Sequence, residues 1–185
     1  MKPERAIILI DGSNFYFKLR DIQLHKLLTF DFTRFAQSLT GKSTLIYATY
    51  YVGKVRTDGT EKTKRMQADQ QRLFAHLRKH KYSYSLGYLL KSDGVFHEKG
   101  VDVNIAVDML VATYENLADT IYLVSSDTDL IPAIQKAQQK GNKVVYVGFS
   151  HKLSYALVAN CQETRTLTRE ILELFLTTQT TKKSA

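Results

Sequence analysis

A single cysteine, Cys161, in 185 residues excludes an intrachain disulfide and any multi-cysteine zinc site. A buried core role is the plain reading of a lone thiol, and a chain without a disulfide framework fits a reducing, cytoplasmic compartment. Long apolar runs are missing as well. None approaches the ~20 residues of a membrane-spanning helix. The run Ala6–Ile10 is too short for the core of a signal peptide, and Pro3 and Glu4 precede it. The five histidines (His25, His76, His80, His97 and His151) are scattered. Only His76 and His80 fall four apart, on a basic helix where solvent exposure is the expectation rather than zinc binding. No internal repeat and no RNA-reading module can be found.

What remains is a chain with 44% hydrophobic and 24% charged residues, enough to bury a full core. It reads as one domain over residues 1–178 with a disordered Thr/Lys tail at 179–185. The net charge of +8 points to a polyanionic partner, and its distribution sharpens that reading. Residues 54–81 hold nine Lys/Arg against three Asp/Glu, whereas residues 82–185 hold ten against eleven. A basic flank beside an acidic half suits a nuclease: cations hold the phosphate backbone and carboxylates hold a metal. A solvated helix face is the plainer alternative.

Apolar periodicity alternates between strand and helix along the chain. Ala6–Ile10 is a continuous apolar run ending in Asp-Gly-Ser-Asn, a buried strand followed by a turn. Helices are expected at 13–20, 31–40, 64–80, 100–117, 130–140, 153–159 and 167–177, and strands at 43–52, 82–90, 121–125 and 143–147. Asp31 or Thr33 would cap the second helix, and Gly141 closes the one before the last strand. Such alternation implies an α/β fold with a mostly parallel, doubly wound sheet of about five strands. Ligands of these sheets bind beyond the carboxyl ends of the strands.

Carboxylates collect at that edge. Asp11 follows the first strand; Asp127 and Asp129 follow the strand at 121–125. Asp102 opens the crossover helix, which begins where the preceding strand ends. Four acids brought together repel unless a cation neutralises them, and an all-oxygen set selects Mg²⁺ or Mn²⁺. Asp108 lies six residues beyond Asp102, about 120° around a helix at about 100° per residue, and should not share that ion. It reads instead as a half-buried supporting residue or a plain helix-face acid. Taken singly, Asp11, Asp127 and Asp129 also read as helix caps.

Asp-Gly-Ser-Asn (11–14), Lys-Gly-Val-Asp-Val (99–103) with Ala-Val-Asp-Met-Leu, and Leu-Val-Ser-Ser-Asp-Thr-Asp-Leu-Ile-Pro (123–132) occur in order, followed by Gly-Asn-Lys-Val-Val-Tyr-Val-Gly. Over roughly residues 5–167 this series resembles the NYN domains, a PIN-like nuclease family. The resemblance implies a Rossmann-like, PIN-type three-layer sandwich and a ribonuclease site using Mg²⁺ or Mn²⁺. Its metal ligands would be Asp11, Asp102, Asp127 and Asp129. Asn14 would be a polar active-site residue, and Lys99 a phosphate contact. Two positions depart from the family pattern. Ser126 stands where a glycine is common, so this turn must avoid positive φ. Gln162 stands where an acid is often found.

The expected activity is hydrolysis of phosphodiester bonds in single-stranded or structured RNA, with Asp11 and Asp127 central. Ser125 and Ser126 would orient water or a phosphate oxygen. Lys54, Arg56, Lys62, Lys64 and Arg65 would steer the strand, and Tyr50 and Tyr51 are candidate stacking platforms, at least one of them a core residue instead. The alternative is a PIN-like RNA-binding or regulatory protein without turnover. A phosphatase reading of Asp127-Thr128-Asp129 fails on Ile131, which stands where Thr or Val is required. The composition leaves open association into a homo-oligomer.

Overall fold

The computed structural model describes residues 3–92 and 95–176, and between 89 and 98 it is the backbone that is described. The tail expected at 179–185, the end of the last expected helix, and the side chain of His97 lie outside this. The strands are β1 (Arg5–Asp11), β2 (Thr44–Lys54), β3 (Ser83–Ser92), β4 (Val95–Lys99), β5 (Thr120–Val124), β6 (Lys143–Phe149) and β7 (Glu163–Leu167). The helices are α1 (Gly12–Asp21), α2 (Phe32–Thr40), α3 (Glu61–Lys79), α4 (Val101–Tyr114), α5 (Ile131–Gln139), α6 (Tyr155–Asn160) and α7 (Arg169–Glu173).

The strands form one seven-stranded sheet in the order β4-β3-β2-β1-β5-β6-β7. All neighbours are parallel except β3 and β4. Two strands exceed the expectation of about five. β7 is a short edge strand of sequence Glu-Thr-Arg-Thr-Leu, whose polar character is how edges resist further pairing. β4 turns back antiparallel on β3, and Tyr88 pairs with Lys99 just where it also pairs with Lys54 at the end of β2. The remainder of that hairpin therefore extends past the carboxyl edge of the parallel sheet.

Helices cover both faces, because central parallel strands are apolar on both sides. β1 is buried along six of its seven residues. On one face Ile8, Ile10 and Tyr50 pack against Phe15 and Leu19 of α1, Phe32 and Phe35 of α2, and Phe74 and Leu77 of α3. On the other, Ile7, Leu9 and Tyr51 meet Ile105 and Met109 of α4 and Ile134 and Ala137 of α5. Gly12 is the point of closest approach. A Cβ there would stand 2.2 Å from Tyr50 Cε1 and 2.6 Å from the Tyr51 carbonyl, so only glycine lets α1 start directly on β1.

This packing corrects two sequence readings. Tyr50 and Tyr51 are both fully buried, so neither is a stacking platform. The Tyr50 hydroxyl donates to the Gly12 carbonyl at 2.9 Å, and that of Tyr51 to Asp108 at 2.7 Å. Burial and the Asp108 charge push both the Tyr51 and the Tyr47 hydroxyl up, the latter to about 12. Nor are His76 and His80 exposed. They pack on Phe32 and on each other, with His76 Nε2 2.9 Å from the Phe30 carbonyl and His80 Nδ1 2.8 Å from Thr33 Oγ1. Asp31, not Thr33, caps α2, accepting from the Arg34 amide at 2.9 Å. Cys161 is half-buried, which raises its thiol to about 11 and leaves it a protonated packing group.

Candidate active site

The strand order reverses at β1. The chain first winds outward through β2 and β3, then returns to lay β5 on the other side of β1. Ligands of open α/β sheets bind in the crevice at such a switch point, and here the crevice is framed by Asp11 and by Ser125–Asp127. Ile10 pairs with Val124, so the last residue of β1 and the first residues after β5 emerge side by side.

Their side chains are tied together. Asp11 caps α1, one carboxylate oxygen accepting from the Asn14 amide at 3.0 Å and the other from the Ser125 hydroxyl at 2.9 Å. Ser125 is buried, and its oxygen in turn accepts from the Asp127 amide at 3.1 Å. The Asp127 carboxylate caps the next helical turn through the Asp129 amide at 3.0 Å. Ser126 donates to the Asn14 side chain at 3.4 Å, a longer contact that still joins the two loops. Capping and site-building thus coincide in Asp11 and Asp127: the cap bond fixes the orientation in which each acid meets the cleft. Ser126 avoids positive φ, since the non-glycine residues there, among the described residues, are Gln23, Lys81 and Asn116.

The third wall comes from the hairpin. β4 delivers Lys99 back to the carboxyl edge, and Gly100 at φ +79 turns the chain into α4, placing Asp102 in its first turn. Asp11, Asp102, Asp127 and Lys99 accordingly line one cleft of about 410 Å³, together with Gly100, Val101 and Val103. Asp129 is exposed and is not among its lining residues. Asp108 is held by Tyr51 at the α4–sheet interface, about one and two-thirds turns from Asp102. Gln162 sits at the opposite edge, accepting from the Val144 amide at 2.8 Å where β6 begins. It therefore has no place in the cleft.

Among the described residues, no three His, Cys, Asp or Glu side chains are arranged to hold a metal ion by themselves. The four aspartates are not a ready-made cage. The donor set still fits a divalent ion in kind, being three carboxylates with no histidine or cysteine among the lining residues. Mg²⁺ characteristically keeps several waters and takes one or two carboxylates plus substrate phosphate oxygens, which suits three acids spaced around an open cleft.

A second hollow, about 640 Å³, lies across the sheet between α1, α3 and residues 25–29. It is larger, but mostly apolar. Its one acid, Asp69, pairs with Arg72 at 3.1 Å, so the converging carboxylates belong to the smaller cleft. The expected steering cations Lys54, Arg56, Lys62, Lys64 and Arg65 are all exposed where β2 ends and α3 begins, on the carboxyl edge. Lys64 is partly engaged by Glu61 at 3.0 Å.

A family model for the NYN domain matches residues 5–168, most of the chain and both loops of this cleft. The chain belongs to the NYN domain family. That family is PIN-like and nuclease-like, and its members usually use divalent metals. This NYN domain is 42% identical over 57 residues to an uncharacterized protein from Methanocaldococcus jannaschii, a match covering 31% of this chain and 24% of that relative's length. A crystal structure of a protein of unknown function from Vibrio parahaemolyticus shares the fold. Its TM-score is 0.65 at 22% identity, covering 95% of this chain and 97% of that one. No helix of the described residues is long and apolar enough to cross a membrane.

The hairpin residue Tyr88 and Gly100 escaped the sequence reading of the site. A signal was present at Tyr88: Tyr82, just before β3, and Tyr84 and Leu86 within it already fill the inward positions, leaving one more aromatic than the core needs.

Proposed function

We propose that this NYN domain is a divalent-metal-dependent ribonuclease that hydrolyses phosphodiester bonds in the cleft at the β1–β5 switch point. The carrying observation is the convergence of Asp11, Asp102 and Asp127 with Lys99 on one cleft at the carboxyl edge. Asp11 and Asp127 would hold Mg²⁺ or Mn²⁺, with Asp102 reaching it directly or through water; when bound, the ion supplies Lewis acidity toward water and phosphate oxygens.

The chain's own residues supply position. Ser125 orients Asp11 and fixes the Asp127 backbone, so both acids are pre-set rather than recruited. Lys99 offers a cation at the cleft wall to a phosphate oxygen, a compact charge with three donors. Asn14, joined to Ser126, presents an amide beside the same turn. The exposed cations at the end of β2 and the start of α3 draw the polyanion to this edge. RNA as the substrate follows the family; Asp129 is left to a peripheral or water-mediated role.

The test is cleavage of an end-labelled RNA with Mg²⁺ or Mn²⁺. Cleavage should vanish with EDTA and return on adding excess metal. Cleavage indifferent to EDTA would sink the metal-dependent reading, and tight RNA binding without cleavage would leave an RNA-binding protein in its place.

A further inference from the structure

Lys54, Tyr88 and Lys99 stand in register on three adjacent strands: Lys54 pairs with Tyr88, and Tyr88 pairs with Lys99. Directly paired residues project on the same side of a sheet, so the three form one row. With strands about 4.8 Å apart, the two lysines are about 10 Å from each other, with the aromatic ring between them. All three are exposed, Tyr88 by 62%. This large apolar surface has no packing task, since Tyr84 and Leu86 of β3, with Tyr82 just before it, carry the core contacts here. The row also ends at the active site: Lys99 and Gly100 line the aspartate cleft, and a Cβ on Gly100 would lie 3.9 Å from Tyr88 Cδ2.

We propose that Tyr88 is a stacking platform for one unpaired nucleobase of the RNA, with Lys54 and Lys99 holding the phosphates on either side of it. This rests on the ribonuclease reading and adds the residue that would engage an unpaired base beside the cleaved bond. A flat π-face between two cations matches a base between two phosphates, in both charge and shape. Bases within a duplex are already stacked and paired, so a helix cannot offer one to the ring without paying to unstack it.

The experiment is fluorescence anisotropy in EDTA, so that binding is read without cleavage. The probes are a short oligouridylate and an abasic strand of the same length, which carries the same phosphates and therefore the same counterion release. The wild-type protein should bind the base-bearing strand about tenfold more tightly than the abasic one. Tyr88→Ala should erase that difference while leaving abasic binding unchanged, and Tyr88→Phe should keep it. Lys54→Gln should weaken both strands alike. Equal wild-type affinity for the two strands, or a Tyr88→Ala loss shared by both, overturns the platform. Base-dependent binding without metal-stimulated cleavage supports the platform and overturns the nuclease reading; cleavage without base dependence does the reverse.

Discussion

Ser125 shows how one small side chain organises a site. Its hydroxyl donates to Asp11 and accepts from the Asp127 amide, and it does so while buried. Ser125→Ala removes both bonds at a buried position and should cost about 1–3 kcal/mol of stability. Thermal unfolding reads this as a Tm lower by several degrees, with cleavage reduced alongside; an unchanged Tm would mean that water replaces the hydroxyl. Asp127→Asn is the complementary change. Asparagine caps as well as aspartate, so the turn at 128–130 should persist within about 0.5 kcal/mol, while metal-dependent cleavage is lost. Retained cleavage would remove Asp127 from the reaction. Asp11 and Asp127 were legible in the sequence, because an acid after an apolar strand run has few places to go. The hydrogen bond from Ser125 to Asp11, across 114 positions, was not.

At the scale of elements, α3 separates packing from charge. Its Phe74 and Leu77 face the sheet, and Gln70 ties it to β2 by accepting from the Val55 amide and donating to the Gly53 carbonyl. Its first turns present Lys62, Lys64 and Arg65 to solvent at the carboxyl edge. Neutralising all three should weaken RNA binding and reduce the slope of log K against log salt by up to about 2, with the Lys64–Glu61 pair taking the value lower. A titration from low to physiological salt measures it; an unaltered slope would assign this helix face to some other partner. Helical periodicity placed α3 and most other elements within a few residues. The β3–β4 hairpin was not foreseen, because Val-Phe-His-Glu-Lys is short and mixed and becomes a strand only by pairing with β3. β7 was missed for the same reason: its residues are polar, and β6 supplies the partner that makes them a strand.

For the whole molecule, pH tests how the layers are joined. His80 lies between α2 and α3, its Nδ1 near the Thr33 amide and hydroxyl. Burial and then the neighbouring His76 lower its pKa below the ordinary 6.5, with Asp31 opposing and Lys79 adding to the shift. His151 is lowered too, chiefly by burial. A base with a depressed folded pKa stays neutral when folded, so just below 6.5 the unfolded chain binds more protons. Stability is then full above about 6.5 and falls as pH drops through the window beneath it. Asp21, Asp119 and Glu163 are held below the usual carboxylate range by Lys152, Arg5 and Lys143, and lose their share only in more acidic solution. Tm should decline between about pH 7 and pH 5.5, and His80→Gln should flatten that decline. A wild-type Tm that is level across this range would refute the assignment.

Alternating apolar runs and helical stripes, read from the sequence alone, determine that this chain is a parallel α/β sandwich. The same pattern sends Asp11, Asp102 and Asp127 to its carboxyl edge, because side-chain period and crossover handedness are local properties of the chain. Tertiary structure decided which acids share the cleft. Asp129 is turned to solvent, Asp108 is held by Tyr51, and Gln162 lies at the far edge. It also decided that Tyr50 and Tyr51 are core while Tyr88 is surface. Such outcomes depend on strand order and register between segments far apart in sequence, and no local pattern of residue types encodes them.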